Sequence, residues 1–145
     1  MHILECKEFT GVTYVASYLS YGVEPQTRDL NERLRQDGHT VLIPRMLADK
    51  DLEWVIWSGE SEPTGEAFTD LSLIGAVILP ALRIDRAGNR LGQGGGSYDR
   101  ALPKLNAWKI ALVHHGELTS EPIPHEDHDQ RVDAAATPDL VVRFT

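Results

Sequence analysis

The sequence predicts an α/β domain built around a mostly parallel sheet. Apolar segments of strand length alternate with at least two helical patterns along the 145 residues. Several of these segments are continuous apolar runs, which is typical of parallel strands that are covered on both faces. A glycine-rich segment directly follows the most apolar of them, where open α/β sheets usually hold their ligands. A chain of this length is expected to form one domain with a sizeable core.

In the first half of the chain, three strands and one helix are predicted. Thr27 can cap the helix and Gly38 can end it. Leu30 and Leu34 lie four residues apart and therefore share one helix face. The second strand is expected to stop at Pro44. The three strands are the apolar segments TYVASYL from Thr13, TVLIPR from Thr40 and LEWVIW from Leu52.

The second half is predicted to begin with a polar, turn-rich loop, SGESEPTGEAF. LIGAVILPAL, from Leu73, is the strongest strand pattern and is expected to stop at Pro80. A helix is expected to start at Ser97, with Pro103 limiting or kinking it. The remaining elements are a buried strand, WKIALVHH, a polar loop from Gly116 to Asp129, and one more short strand in VDAAATPDLVVRFT.

Charge, cysteine content and the pattern of apolar residues predict where the protein acts and which partners it lacks. The net charge of -8 gives little general attraction to nucleic acids or anionic membranes. Cys6 is the single cysteine, so the chain cannot form an internal disulfide. The N-terminal MHILECKEF lacks the pattern of a signal peptide, and no apolar run approaches the roughly 20 residues of a membrane span. We therefore expect a cytoplasmic protein without nucleic-acid or membrane partners.

The segment RLGQGGGSYDR is the strongest functional signal. Residues 92–96 include four glycines, which lets a ligand approach the main chain and lets successive N–H groups surround an anion. Arg90 and Arg100 flank the glycines and could add charge-assisted contacts to a phosphate, while Asp99 could hold Mg²⁺. The segment is not a P-loop, because no Gly-Lys-Ser/Thr ends it. It is not a dinucleotide fingerprint either, because Ser97 stands where that motif needs glycine. The structural alternative is a tight turn between a strand and a helix.

These residues also resemble the signature of the 5-formyltetrahydrofolate cyclo-ligase family. The pattern D-x-x-G-x-R-L-G-x-G-G-G-x-Y-D-R is present from Asp85 to Arg100. The resemblance runs from Val12 to the end of the chain and includes YLSYGVEPQT, VLIPR, SEPTG, VILPAL and IPHEDHDQRVDAAATPD. MHILECKEF does not match the helical segment with which the family usually begins, so residues 1–145 are interpreted as a single domain without that segment.

The resemblance implies a three-layer α/β/α fold of the NagB/RpiA type and an ATP- and Mg²⁺-dependent reaction. In that reaction the formyl oxygen of 5-formyltetrahydrofolate is phosphorylated by ATP, which leaves as ADP. The neighbouring amine then attacks the activated carbon, and phosphate leaves to give 5,10-methenyltetrahydrofolate. The partners implied are these small molecules, with the protein acting as a monomer.

The resemblance also implies roles for individual residues. Arg90 and Tyr98 are the catalytic candidates, and Asp99 and Asp129 are the Mg²⁺ ligands. The substrate-binding candidates are Leu19, Glu24 and Tyr98. The ATP phosphates are expected to bind Arg90, Leu91, Gly92, Gln93, Gly94, Gly95, Gly96, Ser97 and Tyr98.

Besides its N-terminus, the chain departs from the family pattern at two positions, and three alternatives stay open. Ser97 stands where an aromatic residue is usual, and Gln93 where a basic or aromatic residue is usual. The first alternative is a truncated or diverged paralogue that binds folate or a nucleotide without turnover. The second is another phosphate-handling enzyme, such as a sugar-phosphate isomerase. The third concerns HEDHD, residues 125–129, which is either a polar surface loop or part of a zinc site.

Overall fold

The computed structural model describes residues 2–22, 24–92, 96–126 and 129–144. Seven strands of this part form one sheet in the order β3-β2-β1-β4-β7-β8-β9, and two more form a small hairpin. The helices are α1, Arg28–Gln36, and α2, Ser97–Ala101. The strands are β1, Tyr14–Ala16; β2, Thr40–Met46; β3, Leu52–Ile56; β4, Ile74–Pro80; β5, Arg83–Ile84; β6, Arg90–Leu91; β7, Trp108–Leu112; β8, Ala134–Ala136; and β9, Val141–Arg143.

The five inner strands of the sheet are parallel, as the continuous apolar segments predicted. β1 pairs in parallel with β2 and β4, β4 with β7, and β7 with β8. Both edge strands, β3 and β9, are antiparallel to their neighbours. The carboxyl ends of the parallel strands therefore lie at one edge of the sheet, where this architecture forms its ligand sites.

Layers of different composition cover the two faces of the sheet. On one face α1, through Leu30 and Leu34, packs against the sheet core together with buried residues of the N-terminal segment. On the other face the β5–β6 hairpin and the segment after α2 contribute Ile84 and Leu102 to a second buried cluster. The α/β prediction is confirmed, although α2 spans only five residues before a 3₁₀ turn at Leu102–Lys104 that contains Pro103.

Two 3₁₀ turns, His2–Glu5 and Lys7–Phe9, form the N-terminal segment. Ile3, Cys6 and Phe9 are buried against the sheet, and the Phe9 ring meets Trp108 edge to face with ring centroids 5.7 Å apart. The Arg143 guanidinium donates two hydrogen bonds to Glu8, of 2.9 and 3.0 Å, which lowers the pKa of Glu8 to about 2. The Glu8–Arg143 pair attaches the segment to β9, and the Phe9–Trp108 contact attaches it to β7.

The prediction that the second strand stops at Pro44 is wrong, because the strand continues to Met46. The Leu42 carbonyl, two residues earlier, accepts a hydrogen bond from the N–H of Ser17, so this backbone edge faces β1. Pairing with β1 ends at Leu42, and Pro44 lies beyond it. The missing N–H of proline therefore removes no bond from the ladder.

Two further local predictions are confirmed only in part. The closing segment forms two strands rather than one, because the hydroxyl of Thr137 accepts hydrogen bonds from the N–H groups of Asp139 and Leu140 and closes a hairpin turn. Thr27 is the N-cap residue of α1, as predicted, but its side chain makes no capping hydrogen bond. Its hydroxyl donates to the Tyr18 carbonyl at 2.6 Å and accepts from the N–H of Ser20 at 3.0 Å.

The turn of the β5–β6 hairpin is fixed by the buried carboxylate of Asp85. This carboxylate accepts hydrogen bonds from the N–H groups of Ala87, Asn89 and Ile123 and from the Asn89 side chain, all between 2.9 and 3.0 Å. Within the same turn the Gly88 carbonyl accepts from the N–H of Val132 at 3.0 Å. The hairpin is thereby joined to the segment that leads into β8.

Gly88→Ala should destabilise the protein by about 2–4 kcal/mol. Gly88 has a φ of +82°, and an added Cβ would lie 2.6 Å from the Val132 carbonyl oxygen. Left-handed backbone costs a non-glycine residue about 1–2 kcal/mol, and displacing Val132 adds to that cost. Urea unfolding measures the effect. Gly116→Ala is the matched control, because Gly116 has a φ of +81° with nothing within 4 Å; an equal loss in both variants would show that the close approach is unimportant.

Candidate active site

A cavity of about 350 Å³ opens at the carboxyl edge of the sheet. Met46 and Pro80, the last residues of β2 and β4, form part of its wall. The cavity therefore lies where the glycine-rich segment was expected to hold a ligand. The predicted residues that line it are Glu24, Arg90, Leu91, Gly92, Gly96, Ser97, Tyr98, Asp99 and Asp129.

Arg90 lies at the start of the glycine-rich segment with its side chain held on two sides. Its Nε donates to the Pro80 carbonyl at 2.8 Å, and its guanidinium carbon lies 5.1 Å from the centroid of the Tyr98 ring. A Cβ on Gly92 would come within 2.9 Å of the guanidinium, so glycine leaves room for this arginine. Burial lowers the pKa of Arg90, and the nearby Tyr98, Asp99 and Glu24 oppose that shift.

Tyr98 keeps its phenol proton at neutral pH. Burial raises the pKa of its hydroxyl well above the ordinary value, and the neighbouring Arg90 only partly offsets this. The phenol is thus a hydrogen-bond donor in the cavity rather than a base.

Two carboxylates, Asp99 and Asp129, line the same cavity from different segments. Asp99 accepts a hydrogen bond from the N–H of Gln130 at 3.0 Å, and Asp129 accepts one from the N–H of Glu126 at 2.9 Å. Mg²⁺ is usually bound by one or two protein carboxylates together with phosphate oxygens and water, so this pair fits it. Among the described residues there is no group of three or more potential metal ligands of the His, Cys, Asp and Glu types.

Glu24 enters the cavity from the loop between β1 and α1. Its Oε1 accepts a hydrogen bond from the N–H of Tyr21 at 2.7 Å. Burial raises the pKa of the Glu24 carboxyl, against the opposing effects of this hydrogen bond and of Arg90. A carboxylate here can accept two parallel N–H donors from a planar ring.

Buried polar groups support the loop that carries Glu24. Ser17 donates to the Asn31 side-chain oxygen at 2.6 Å, and the Asn31 amide donates to the Tyr18 carbonyl at 3.0 Å. Thr27 donates to the same carbonyl, and all three side chains are completely buried. The beginning of the loop is therefore tied to α1.

A family model described as the 5-formyltetrahydrofolate cyclo-ligase family matches residues 1–138. The chain belongs to the 5-formyltetrahydrofolate cyclo-ligase family. The match extends further toward the N-terminus than the motifs from Val12 onward, and it includes every predicted site residue. The resemblance predicted from the glycine-rich signature is thereby confirmed.

Individual members of the cyclo-ligase family are similar over most of the chain. A 5-formyltetrahydrofolate cyclo-ligase from Mycolicibacterium smegmatis is 33% identical and covers 86% of this chain and 73% of its own length. The one from Escherichia coli K12 is 31% identical, with 88% and 79% covered. The solved 5,10-methenyltetrahydrofolate synthetase of Aquifex aeolicus superposes with a TM-score of 0.79 at 22% identity, over 98% of this chain and 77% of that one.

Some predicted residues of this cyclo-ligase family member do not line the cavity or cannot be located. Leu19 is half-buried and packs against the core on the α1 side rather than among the lining residues. Gln93, Gly94 and Gly95 lie outside the described residues, so their assignment to phosphate stays a prediction. The zinc alternative for residues 125–129 also stays untested, because residues 127 and 128 are outside the described part.

Sequence reasoning missed four residues that line the cavity: Met46, Pro80, Ala81 and Pro124. Pro80 and Ala81 follow directly from the rule that strand ends carry the site, since Pro80 is the last residue of β4 and Ala81 comes directly after it. Met46 was missed because the strand was expected to end at Pro44. Pro124 carried no signal in the sequence beyond its position in a proline-containing loop.

Proposed function

We propose that this member of the cyclo-ligase family converts 5-formyltetrahydrofolate to 5,10-methenyltetrahydrofolate with ATP and Mg²⁺. One observation carries the proposal: a single cavity at the carboxyl edge of the sheet is lined by Arg90, Tyr98, Glu24, Asp99 and Asp129. A cation and a pair of carboxylates able to hold a metal ion are groups that metal-assisted phosphoryl transfer uses around its phosphates.

Each of these side chains has a defined task in the proposed reaction. Asp99 and Asp129 would hold Mg²⁺, and Arg90 would neutralise charge on the phosphate oxygens. Glu24 would accept N–H groups of the pterin ring, and Tyr98 would donate a hydrogen bond to the bound folate. When bound, ATP supplies the phosphoryl group that turns the formyl oxygen into a leaving group. The protein then needs chiefly to hold the two substrates in line and to exclude water.

We also propose that the protein acts as a monomer in the cytoplasm on these small molecules alone. Its single cysteine is compatible with a reducing compartment, and its net charge of -8 disfavours nucleic acid. No helix in the described ranges is long and apolar enough to cross a membrane.

The decisive test is a direct assay of the purified protein with 5-formyltetrahydrofolate, ATP and Mg²⁺. The methenyl product is followed by its near-ultraviolet absorbance, and ADP is measured in parallel. Product formation that requires ATP and yields one ADP per methenyl group would support the proposal. Folate or nucleotide binding without product would instead favour the diverged, non-catalytic paralogue.

Asp99→Asn should weaken Mg²⁺-dependent ATP binding by at least about tenfold. The substitution removes the negative charge that would face the metal, yet the amide oxygen can still accept the N–H of Gln130. Calorimetric titration with ATP, with and without Mg²⁺, measures the effect. Asp70→Asn is the control, because Asp70 is an exposed aspartate that contacts Ser72 away from the cavity. Unchanged affinity in Asp99→Asn would exclude the metal role of Asp99.

A further inference from the structure

The start of α2 is attached to the turn between β2 and β3, residues 47–51, by two side chains. The hydroxyl of Ser97 donates to the Lys50 carbonyl at 2.7 Å. The Nε of Arg100 donates to Asp51 Oδ1 at 2.8 Å, and its second terminal nitrogen is 3.5 Å from the Asp49 carbonyl oxygen. Ser97 is buried, whereas the Arg100–Asp51 pair is partly exposed.

The β2–β3 turn has its own internal hydrogen bonds. The N–H of Leu47 donates to the Asp51 carbonyl at 2.8 Å, and the N–H of Lys50 donates to the Leu47 carbonyl at 2.9 Å. Lys50 has a φ of +69° and is the one non-glycine residue with positive φ in the described part of the chain. Such backbone persists where surrounding contacts hold it. The Lys50 carbonyl, which accepts the hydrogen bond from Ser97, therefore belongs to a structured turn.

The two contacts lie on either side of Tyr98 and Asp99 in the sequence. Tyr98 and Asp99 stand between Ser97 and Arg100 in the sequence, and both line the cavity. Met46, the residue before the turn, lines it as well. Fixing both ends of this four-residue stretch therefore fixes the backbone from which the Tyr98 and Asp99 side chains extend.

We propose that Arg100 and Asp51 are positioning residues that hold Tyr98 and Asp99 in place through the β2–β3 turn. This inference rests on the proposed function, because it assigns the pair a task in nucleotide and metal binding. It differs from the expectation that Arg100 contacts a phosphate, since the Arg100 side chain is engaged by Asp51 and is not among the residues that line the cavity.

Ser97 supplies the second contact of this attachment. Its buried hydroxyl lies next to its own backbone and donates the short hydrogen bond to the Lys50 carbonyl. The β2–β3 turn therefore holds the first residue of α2 through Ser97 as well as its fourth through Arg100.

The test is a double-mutant cycle on the ion pair, measured as KM for ATP, kcat and the Kd of Mg²⁺–ATP. Asp51→Asn and Arg100→Gln should each raise KM and Kd about tenfold, the order expected from a small misplacement of binding groups. The double variant should be no worse than either single variant, because both remove the same contact. The melting temperature should change by no more than about 3 °C, because partly exposed ion pairs contribute little to stability.

Glu53→Gln is the matched control. Glu53 lies on β3, close to the β2–β3 turn, and accepts a hydrogen bond from Arg45 at 2.6 Å. This pair is partly exposed, although less so than Arg100–Asp51, and Glu53 makes no hydrogen bond to α2. Its KM and Kd should stay within twofold of the wild type. Hydrogen exchange of the α2 amides gives a second measurement, and faster exchange is expected in Asp51→Asn but not in Glu53→Gln.

The outcomes separate this inference from the proposed function. Wild-type turnover with unchanged KM and unchanged Kd in Asp51→Asn and Arg100→Gln would overturn the positioning role and leave the enzyme assignment intact. Additive losses in the double variant would also overturn it, because independent roles would then be acting. If the wild type neither binds ATP nor forms product, the proposed function fails and the positioning role in nucleotide binding fails with it; the exchange data then still report whether the pair orders α2.

Discussion

Replacing Arg90 with glutamine should lower kcat/KM for methenyltetrahydrofolate formation by about 10²–10³, the loss typical when one charge-stabilising group leaves an active site. Arg90 lines the cavity, and its Nε bond to the Pro80 carbonyl together with its position against Tyr98 aims the guanidinium. Arg90→Lys should recover little activity. A lysine offers one point charge and cannot keep the carbonyl contact while its charge also faces a phosphate.

Steady-state kinetics with varied ATP and varied folate measure this effect. Arg83→Gln is the control, because Arg83 lies on the paired strand of the same hairpin and is exposed. Circular dichroism and the melting temperature establish that each variant is folded. If Arg90→Gln keeps more than about a tenth of the wild-type kcat/KM, the arginine has no direct role in the reaction, and the phosphate assignment must be abandoned.

Asp85→Ala should destabilise the fold by about 3–5 kcal/mol, since it leaves several buried donors without an acceptor. The carboxylate, with 3% of its residue surface exposed, accepts four hydrogen bonds that join the hairpin turn to Ile123. Asp85→Asn should lose less, because its amide oxygen can still accept the N–H groups of Ala87 and Asn89. Equal stability of wild type and Asp85→Ala in urea unfolding would show that the hydrogen bonds contribute nothing net.

The contribution of Asp85 should also depend on pH. Burial by itself raises the pKa of this carboxyl, but the hydrogen bonds from Ile123 and Asn89 outweigh it and hold the pKa below the ordinary value. A depressed folded-state pKa means that the stabilisation is fully present above the unfolded pKa of about 3.9 and is lost as the pH falls through the folded value. The stability difference between wild type and Asp85→Ala should therefore shrink below about pH 4.

Patterns of local origin were readable from the sequence. Apolar runs predicted the parallel strands, and the glycine-rich signature predicted most of the cavity wall, including Arg90, Tyr98 and Asp99. The signature also contains residues with a different task. Asp85 and Gly88 belong to the β5–β6 turn that directly precedes Arg90. This part of the signature is therefore explained by the geometry of the turn rather than by contact with a ligand.

Contacts between distant segments could not be predicted in the same way. Thr27 has the right spacing for a helix cap, but its hydroxyl bonds to Tyr18 in the preceding loop. Pro44 was predicted to end its strand because proline has no N–H to donate. Pairing with β1 ends at Leu42, however, so no partner is present for an N–H at position 44 on that side. The attachment of Arg100 to Asp51 joins residues 49 positions apart, and neither side chain has a local pattern that signals the other.

The burial of Cys6 makes the N-terminal segment observable by chemistry. It is the single cysteine of the chain, and it lies within the N-terminal segment, which Glu8 and Arg143 hold to β9. Because Cys6 is 6% exposed, a thiol reagent should react with it far faster when that segment separates from the sheet. Compared with the labelling rate of the unfolded chain, the rate in the folded state should therefore report the free energy of this local opening without the introduction of a foreign probe.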